Sequence, residues 1–205
     1  MPLPKAHREF LAESNGLESC WGYRRVLAVG EAIENIGPWN QADCWKFAWR
    51  QPLENFLCFA ETGLGDQFAY RIDGLRQGDE RVFMLDANLM EPDPSPVAES
   101  FADFLTGEVE KAMNPSPRFA EAHRQVGVLG PDEHAILRPS PLLVGTEQAT
   151  DYAKVSSRLA MTINGDLASQ LLDPAHEGQA VDRIEQEMDE GGWPRLRVVW
   201  ASPGQ

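Results

Sequence analysis

The sequence has no run approaching the ~18 consecutive apolar residues that a membrane-spanning helix needs, and Met1-Pro2-Leu3-Pro4 supplies neither the basic nor the apolar stretch of a secretory signal. A cytoplasmic protein with no membrane partner is expected. Cysteine is scarce: Cys20, Cys44 and Cys58 are odd in number and lack C-x-x-C spacing, which argues against a disulfide framework or a thiolate zinc site and leaves buried, reduced thiols. His7, His123, His134 and His176 stand apart, with no H-x-x-x-H or H-E-x-x-H spacing, so each reads as a surface or satisfied histidine. No metal and no cofactor are expected. There is no G-x-S-x-G nucleophile elbow. Gly63-Leu64-Gly65-Asp66-Gln67-Phe68 opens like a dinucleotide fingerprint, but Phe68 stands at the third glycine and the stretch joins two strand-like segments, so phosphate would meet no helix N-terminus. It reads as a hairpin turn. The acid pairs Asp79-Glu80 and Asp189-Glu190 lie in turn-like sequence and read as solvated faces. With no convergent set of reactive groups, the chain reads as a non-enzyme.

What is present is a foldable, acidic chain. At 205 residues, 42% hydrophobic and 9% aromatic, it can bury a proper core. The formal net charge is −14, and it is unevenly spread: residues 51–110 carry three arginines (Arg71, Arg76, Arg81) against thirteen acids. Such a field repels nucleic acid and anionic lipid and raises the encounter rate with a basic partner; plain solubility is the simpler use of the same charge. The six tryptophans, Trp21, Trp39, Trp45, Trp49, Trp193 and Trp200, admit two readings, core packing or interface anchors.

Along the chain, Pro4, the apolar face His7, Phe10 and Leu11, and the stop at Asn15-Gly16 predict a helix over 4–14. A strand follows from Tyr23 to Val29, and 30–53 is left mixed. Phe56 to Ala60, the turn at 61–66, and Phe68, Tyr70 and Ile72 on one face predict a hairpin; residues 81–85 predict a third strand covered on both faces. The prolines of 91–96 exclude helix interior there. Ser100 and Asp103 form a capping pair for a helix over 100–112 with Phe101, Phe104, Leu105 and Val109 buried, ended by Pro115 and Pro117. Beyond it, 139–145 reads as irregular or edge, Leu159, Met161 and Ile163 as a strand ending at Asn164-Gly165, Asp166 as the cap of a short helix with Leu167 and Leu171, and Val181, Ile184 and Met188 as a second helix ending at Gly191-Gly192. A last strand runs from Arg195 to Trp200 with Leu196, Val198 and Trp200 inward.

Four pieces in order carry a family resemblance: Leu3-Pro4-x-x-His7-x-x-Phe10-Leu11 with Ser14-Asn15-Gly16; Phe59-Ala60-x-Thr62-Gly63-x-Gly65-Asp66; Val82-Phe83-Met84-Leu85-Asp86; and Ala98-Glu99-Ser100-Phe101-x-x-Phe104-Leu105. Over about residues 1–112 the chain resembles the SUKH superfamily of immunity and regulatory proteins. It departs from the family pattern at His7, at the single Gly16 and at Leu64. Residues 134–200 are similar to extensions on immunity proteins of type VI secretion systems. The resemblance implies an α+β fold, an antiparallel or mixed central sheet flanked by helices; the chain is read as a SUKH-like core over 1–115 with an appended α/β segment over 116–205 packed on it, or as one continuous domain. It also implies a protein-binding role with no catalytic residues to carry over. The reading is an immunity protein, monomer or weak homodimer, whose acidic stretch occludes a basic toxin domain such as a nuclease, with Asp79, Glu80, Asp86, Glu91, Asp93, Glu99 and Asp103 as the partner-binding residues. The alternatives are a regulatory or scaffold protein and, third, an enzyme whose site is not recognised.

Overall fold

The computed structural model describes residues 3–49, 53–88, 93–145 and 150–202. Helix α1 (Lys5–Ser14) follows Pro4 and ends at Asn15, which takes the left-handed conformation (φ 42°) and bonds back to Leu11, as the Asn-Gly signal requires. Strands β1 (Leu17–Ser19) and β2 (Arg24–Val26) form a tight hairpin. Among its described residues the mixed stretch forms a short helix, α2 (Ile36–Trp39), and 3-10 turns, with Trp39, Trp45 and Trp49 buried. Then come β3 (Phe56–Thr62), β4 (Gln67–Arg71), the short α3 (Ile72–Arg76), β5 (Val82–Leu85) and β6 (Pro96–Ala98). These six strands pair consecutively and antiparallel in the order β1-β2-β3-β4-β5-β6. The 61–66 turn is the expected hairpin turn: Thr62 and Asp66 close it by a 2.8 Å backbone bond, with Gly65 at φ 102°. Ile72, expected on the strand face, instead opens α3.

Helix α4 (Phe101–Met113) lies across one face of the sheet. Ser100 caps it as predicted, and Phe104 meets Phe59 and Phe68 at ring-centroid distances of 5.3 and 4.9 Å. His7 is no surface residue. It stacks on Phe101 at 4.1 Å, its Nδ1 lies 3.2 Å from the Tyr70 hydroxyl, and burial pushes its pKa down to about 4, which keeps it neutral. The inward stripe differs from expectation by one position: Val109 is exposed and Glu108 is buried, drawn in by Arg24 of β2 and Lys111.

The C-terminal third departs most from the sequence reading. Pro117 does not merely follow α4; it occupies the first turn of α5 (Pro117–Val126), where its missing N–H costs nothing. Strands β7 (Glu133–Arg138) and β8 (Asp151–Ser156) pair with each other, and 139–145 contains the short α6 (Pro141–Val144). The expected strand at 159–163 and the expected cap at Asp166 both lie inside one helix, α7 (Ser157–Leu171), capped by Ser156. Its buried Ala160, Met161, Gly165 and Ala168 recur at helical spacing, and that face outweighs the local alternation of three apolar residues. The expected helix over 181–188 is strand β9 (Val181–Met188), paired with β10 (Pro194–Trp200) across the Gly191-Gly192 turn. Cross-strand charges hold this hairpin, Arg197 meeting both Glu185 and Glu187, so pairing overrides the helical spacing of Val181, Ile184 and Met188. Of the three β10 residues expected inward, Val198 is buried and Leu196 and Trp200 are half-buried.

The expected boundary at 115/116 falls in the link between α4 and α5, and buried contacts cross it. Met161 and Ala168 of α7 share one apolar cluster with the sheet, and Tyr23 and Leu64 share a second with Phe119, Ala122, Leu129 and Ala135. Glycine is required where Leu129 enters: Gly22 has φ 86° and a Cβ there would lie 2.3 Å from the Leu129 carbonyl oxygen, while one on Gly63 would lie 2.5 Å from Leu129 Cδ1. The polar counterpart is a buried network centred on Glu61 of β3. Arg25 Nη1 lies 3.1 Å from Glu61 Oε1 and His134 Nε2 3.2 Å from Oε2, and Gln67 Nε2 donates to Oε2 at 3.1 Å. Gln67 Oε1 accepts from Trp39 at 2.8 Å, and Arg25 donates onward to the carbonyls of Gly22, Pro131 and Glu133.

Two measurements test this packing. A Cβ at Gly165 would lie 2.8 Å from Ala48 Cβ and 2.9 Å from Trp49, so Gly165→Val is expected to cost about 1–3 kcal/mol in denaturant unfolding despite the removal of a helix glycine. For Glu61, burial alone would raise the carboxyl pKa, but His134, Arg25 and Gln67 outweigh it and hold it below the ordinary glutamate range. Its contribution is therefore complete above that range and is lost as the pH falls through the lowered folded value. Glu61→Gln is expected to lose about 3–5 kcal/mol near neutrality and to show a flatter acid limb than the parent in unfolding followed from about pH 6 to pH 3.

Candidate functional site

The sheet ends at β6, a strand of three residues that begins with Pro96. Its register slips against β5, from Val82 opposite Ala98 to Phe83 opposite Pro96, which leaves Val97 bulged and half exposed. A short edge with a proline and a bulge is a poor template for another strand, so a partner here is recognised through side chains. Five of the expected acidic residues collect at one end of this edge. Asp79 closes the link from α3 to β5, and its carboxylate accepts from Arg81 Nη2 at 2.7 Å and from the Arg81 backbone at 3.1 Å, which holds it well below the usual carboxylate range. Glu80 is exposed beside it. Asp93 reaches Arg71, whose guanidinium lies 5.0 Å over the Phe83 ring and also acts on Asp79. Glu99 is exposed directly after β6 and acts on Arg81. Asp103 is exposed in the first turn of α4 and accepts from the Ser100 hydroxyl at 2.7 Å, while Ser100 Oγ accepts from Asp103 N at 3.2 Å.

Asp86 is not among them. It sits at the opposite end of β5, accepts from Asn88 N at 2.8 Å, and neighbours Asp66, whose carboxyl is pushed up by burial and by Asp86. Glu91 lies outside the described residues. Two apolar side chains that the sequence did not reveal, Met84 and Val97, are also substantially exposed on these edge strands, next in the chain to the paired Phe83 and Pro96. Met84 reads as buried strand in sequence; only the shortness of the edge uncovers it. Apolar side chains exposed together with charged ones are a general feature of protein interfaces. Arg71 and Arg81 temper the edge, each tied to an acid, so it is negative but not uniformly so.

Two grooves lie elsewhere. One of about 280 Å³ runs beside β1 and β2, lined by Asn15, Leu17, Val26, Leu27, Glu34 and Asn35. The other, of about 430 Å³, separates α7 from the β9–β10 hairpin. Its charged wall includes Asp166, which has both oxygens bound by Arg195 at 3.0 Å and one by Leu196 N at 2.8 Å and so serves as a clamp for β10. Cys44 and Cys58 are buried, and burial pushes each thiol up to about 11, away from reactivity. Among the described residues no group of three or more His, Cys, Asp or Glu is placed to hold a metal ion.

Comparison with known proteins agrees with this architecture. Residues 1–107 match the model of the SMI1 / KNR4 family (SUKH-1), just over half of the chain. A crystal structure of Atu4351 from Agrobacterium tumefaciens superposes with a TM-score of 0.52 at 10% identity, covering 96% of this chain and 85% of that one. At that identity the likeness is one of fold, and it extends through the C-terminal third. None of the curated proteins matches the chain significantly.

Proposed function

Because the chain belongs to the SMI1/KNR4 (SUKH-1) family, we propose that it is a non-catalytic protein-binding module, an immunity protein that neutralises a toxin by covering a basic surface on it. The observation that carries the reading is the acidic edge at β5, β6 and the start of α4, where Glu80, Glu99 and Asp103 are exposed together with Met84 and Val97 within the family-matched part of the chain. A basic active surface that grips a polyanion offers the complementary field. In this reading the negative edge sets the encounter rate and the orientation, and the exposed apolar side chains set how long the complex lasts. The proposal places the protein in the cytoplasm, where a toxin would meet its target; among the described residues no helix is long and apolar enough to cross a membrane.

The test is co-expression with the candidate toxin of a neighbouring reading frame, scored by survival and co-purification, followed by association kinetics. Glu80→Lys with Glu99→Lys, which leaves the Asp79–Arg81 and Asp93–Arg71 pairs in place, is expected to slow association about tenfold at low salt and to change dissociation little. The difference from the parent is expected to close as salt rises. Association that ignores both salt and these substitutions would remove the electrostatic account, and toxicity that persists with a bound complex would remove neutralisation by occlusion.

A further inference from the structure

Strand β9 is the longest among the described residues, and its outer edge is open. Asp189 N donates to the Trp193 carbonyl at 2.9 Å, and along an antiparallel ladder the bonding direction alternates from residue to residue. In the regular run from Arg183 to Met188 the odd-numbered residues therefore bond toward β10, and Ile184, Gln186 and Met188 point their N–H and carbonyl groups away from it. The far side of β10 shows the same alternation. Its even-numbered residues turn to α7, where Leu196 N donates to Asp166 Oδ2 at 2.8 Å, Val198 N donates to Gln170 Oε1 at 2.9 Å, and the Leu196 carbonyl accepts from Gln170 Nε2 at 2.8 Å. Helix side chains thus complete one edge of the hairpin, while among the described residues nothing bonds to the backbone of Ile184, Gln186 or Met188 on the other. The remaining sheet edges offer less: β1 and β6 have three residues each, and on β7 and β8 the N–H groups of Ala135 and Tyr152 are taken by the Gly63 carbonyl and by Gln125 Oε1.

We propose that the open edge of β9 takes up an extended segment of a partner protein as a third strand, one in which basic and apolar residues alternate. The pattern follows from the two faces of the strand. Arg183, Glu185 and Glu187 project on one face, Ile184, Gln186 and Met188 on the other. Residues 181–190 hold five acids, Asp182, Glu185, Glu187, Asp189 and Glu190, against Arg183 alone. Arg197 serves Glu185 and Glu187 together, Arg183 divides itself between Asp182 and Glu185, and Arg195 is engaged by Asp166. Two arginines are thus shared among three carboxylates, and the excess charge on the edge is negative. Lysine or arginine placed opposite Glu185 and Glu187 adds cross-strand ion pairs, and the apolar residues between them cover Ile184, which is half-buried, and Met188, which is 61% exposed. The same excess of acid sets copies of this chain against one another here, so the edge is closed to its own kind and open to a basic strand. At its other end the ladder shifts register and leaves Asp182 unopposed, which limits the open run to the residues after it. This edge lies outside the family-matched residues 1–107, and the proposal goes beyond the reading of the β5–β6 edge.

Residue-resolved amide hydrogen exchange of the full chain, with a short end-blocked peptide alternating lysine and valine as the probe, tests the proposal. In the protein alone the amides of Ile184, Gln186 and Met188 are expected to exchange fast and those of Arg183, Glu185 and Glu187 slowly; with the peptide the first set slows as well. Gln186→Pro removes an N–H that points away from β10, a position where an edge strand tolerates proline. This variant is expected to keep the hairpin, read from slow exchange at Arg183, Glu185 and Glu187, and to raise the peptide dissociation constant at least about tenfold. A peptide with glutamate in place of lysine carries the test without any substitution and is expected not to bind. No slowing at Ile184, Gln186 and Met188 with the lysine peptide, equal slowing with the glutamate peptide, or unchanged affinity in a folded Gln186→Pro variant would each overturn the proposal. Slowing of the same amides in the protein alone as its concentration rises would give the edge to a second copy and overturn it too. None of these outcomes depends on whether the β5–β6 edge binds a toxin.

Discussion

Glu61 has almost no contact with water, yet it is ionised, and the cost of burying that charge is met from four directions at once. Arg25 comes from β2, Gln67 from β4, His134 from β7, and Trp39 of α2 holds Gln67 in place. A buried carboxylate left without these partners would be strongly destabilising, so each element that supplies one is held to the position where it can do so. Arg25 extends the constraint, since its remaining donors are taken by backbone carbonyls at Gly22, Pro131 and Glu133. One side chain in the second strand thus ties the β1–β2 turn and the approach to β7 to the same charge. Leu129 adds an apolar lock between Gly22 and Gly63, positions where any side chain would collide with it.

With that centre set, the two ends of the sheet become distinct. Helix α4 starts just after β6 and finishes against the β1–β2 turn, so a single helix of 13 residues connects the acidic edge to the opposite edge of the sheet. The acids at its first end are favoured by the helix N-terminus as well as by Arg71 and Arg81. At its other end the buried Glu108 draws Arg24 inward, and Arg24 in turn lies 4.9 Å over the Phe119 ring of α5. The buried Glu108 thus ties the end of α4 to β2 and, through Arg24, to α5, while the acids at its start stay exposed.

The first 112 residues were largely legible because their signals are local. Asn15-Gly16, the turn at Gly63 to Asp66 and the Ser100/Asp103 pair are backbone instructions that need no distant neighbour, and each is satisfied as written. The acidic edge was legible as charge but not as a surface. Asp86 belongs to the other end of β5, and Met84 and Val97 show themselves only once the edge strand proves to be three residues long with a bulge. In the C-terminal third the same reasoning exchanged helix and strand. Leu159, Met161 and Ile163 alternate like a strand, but Gly165 allows Ala48 and Trp49 to pack against a helix there; Val181, Ile184 and Met188 are spaced like a helix, but Arg197 pairs Glu185 and Glu187 across a hairpin.

By itself, then, the sequence determined the class of the fold, the family of its first half, the turns and caps, and the excess of negative charge, because these depend on residue type and on neighbours within a few positions. Only the tertiary structure decided which residues meet: Glu61 with His134, Asp166 with Arg195, Trp21 with His123. Burial of a charge and packing against a glycine are properties of pairs far apart in the chain, and no local pattern encodes the partner.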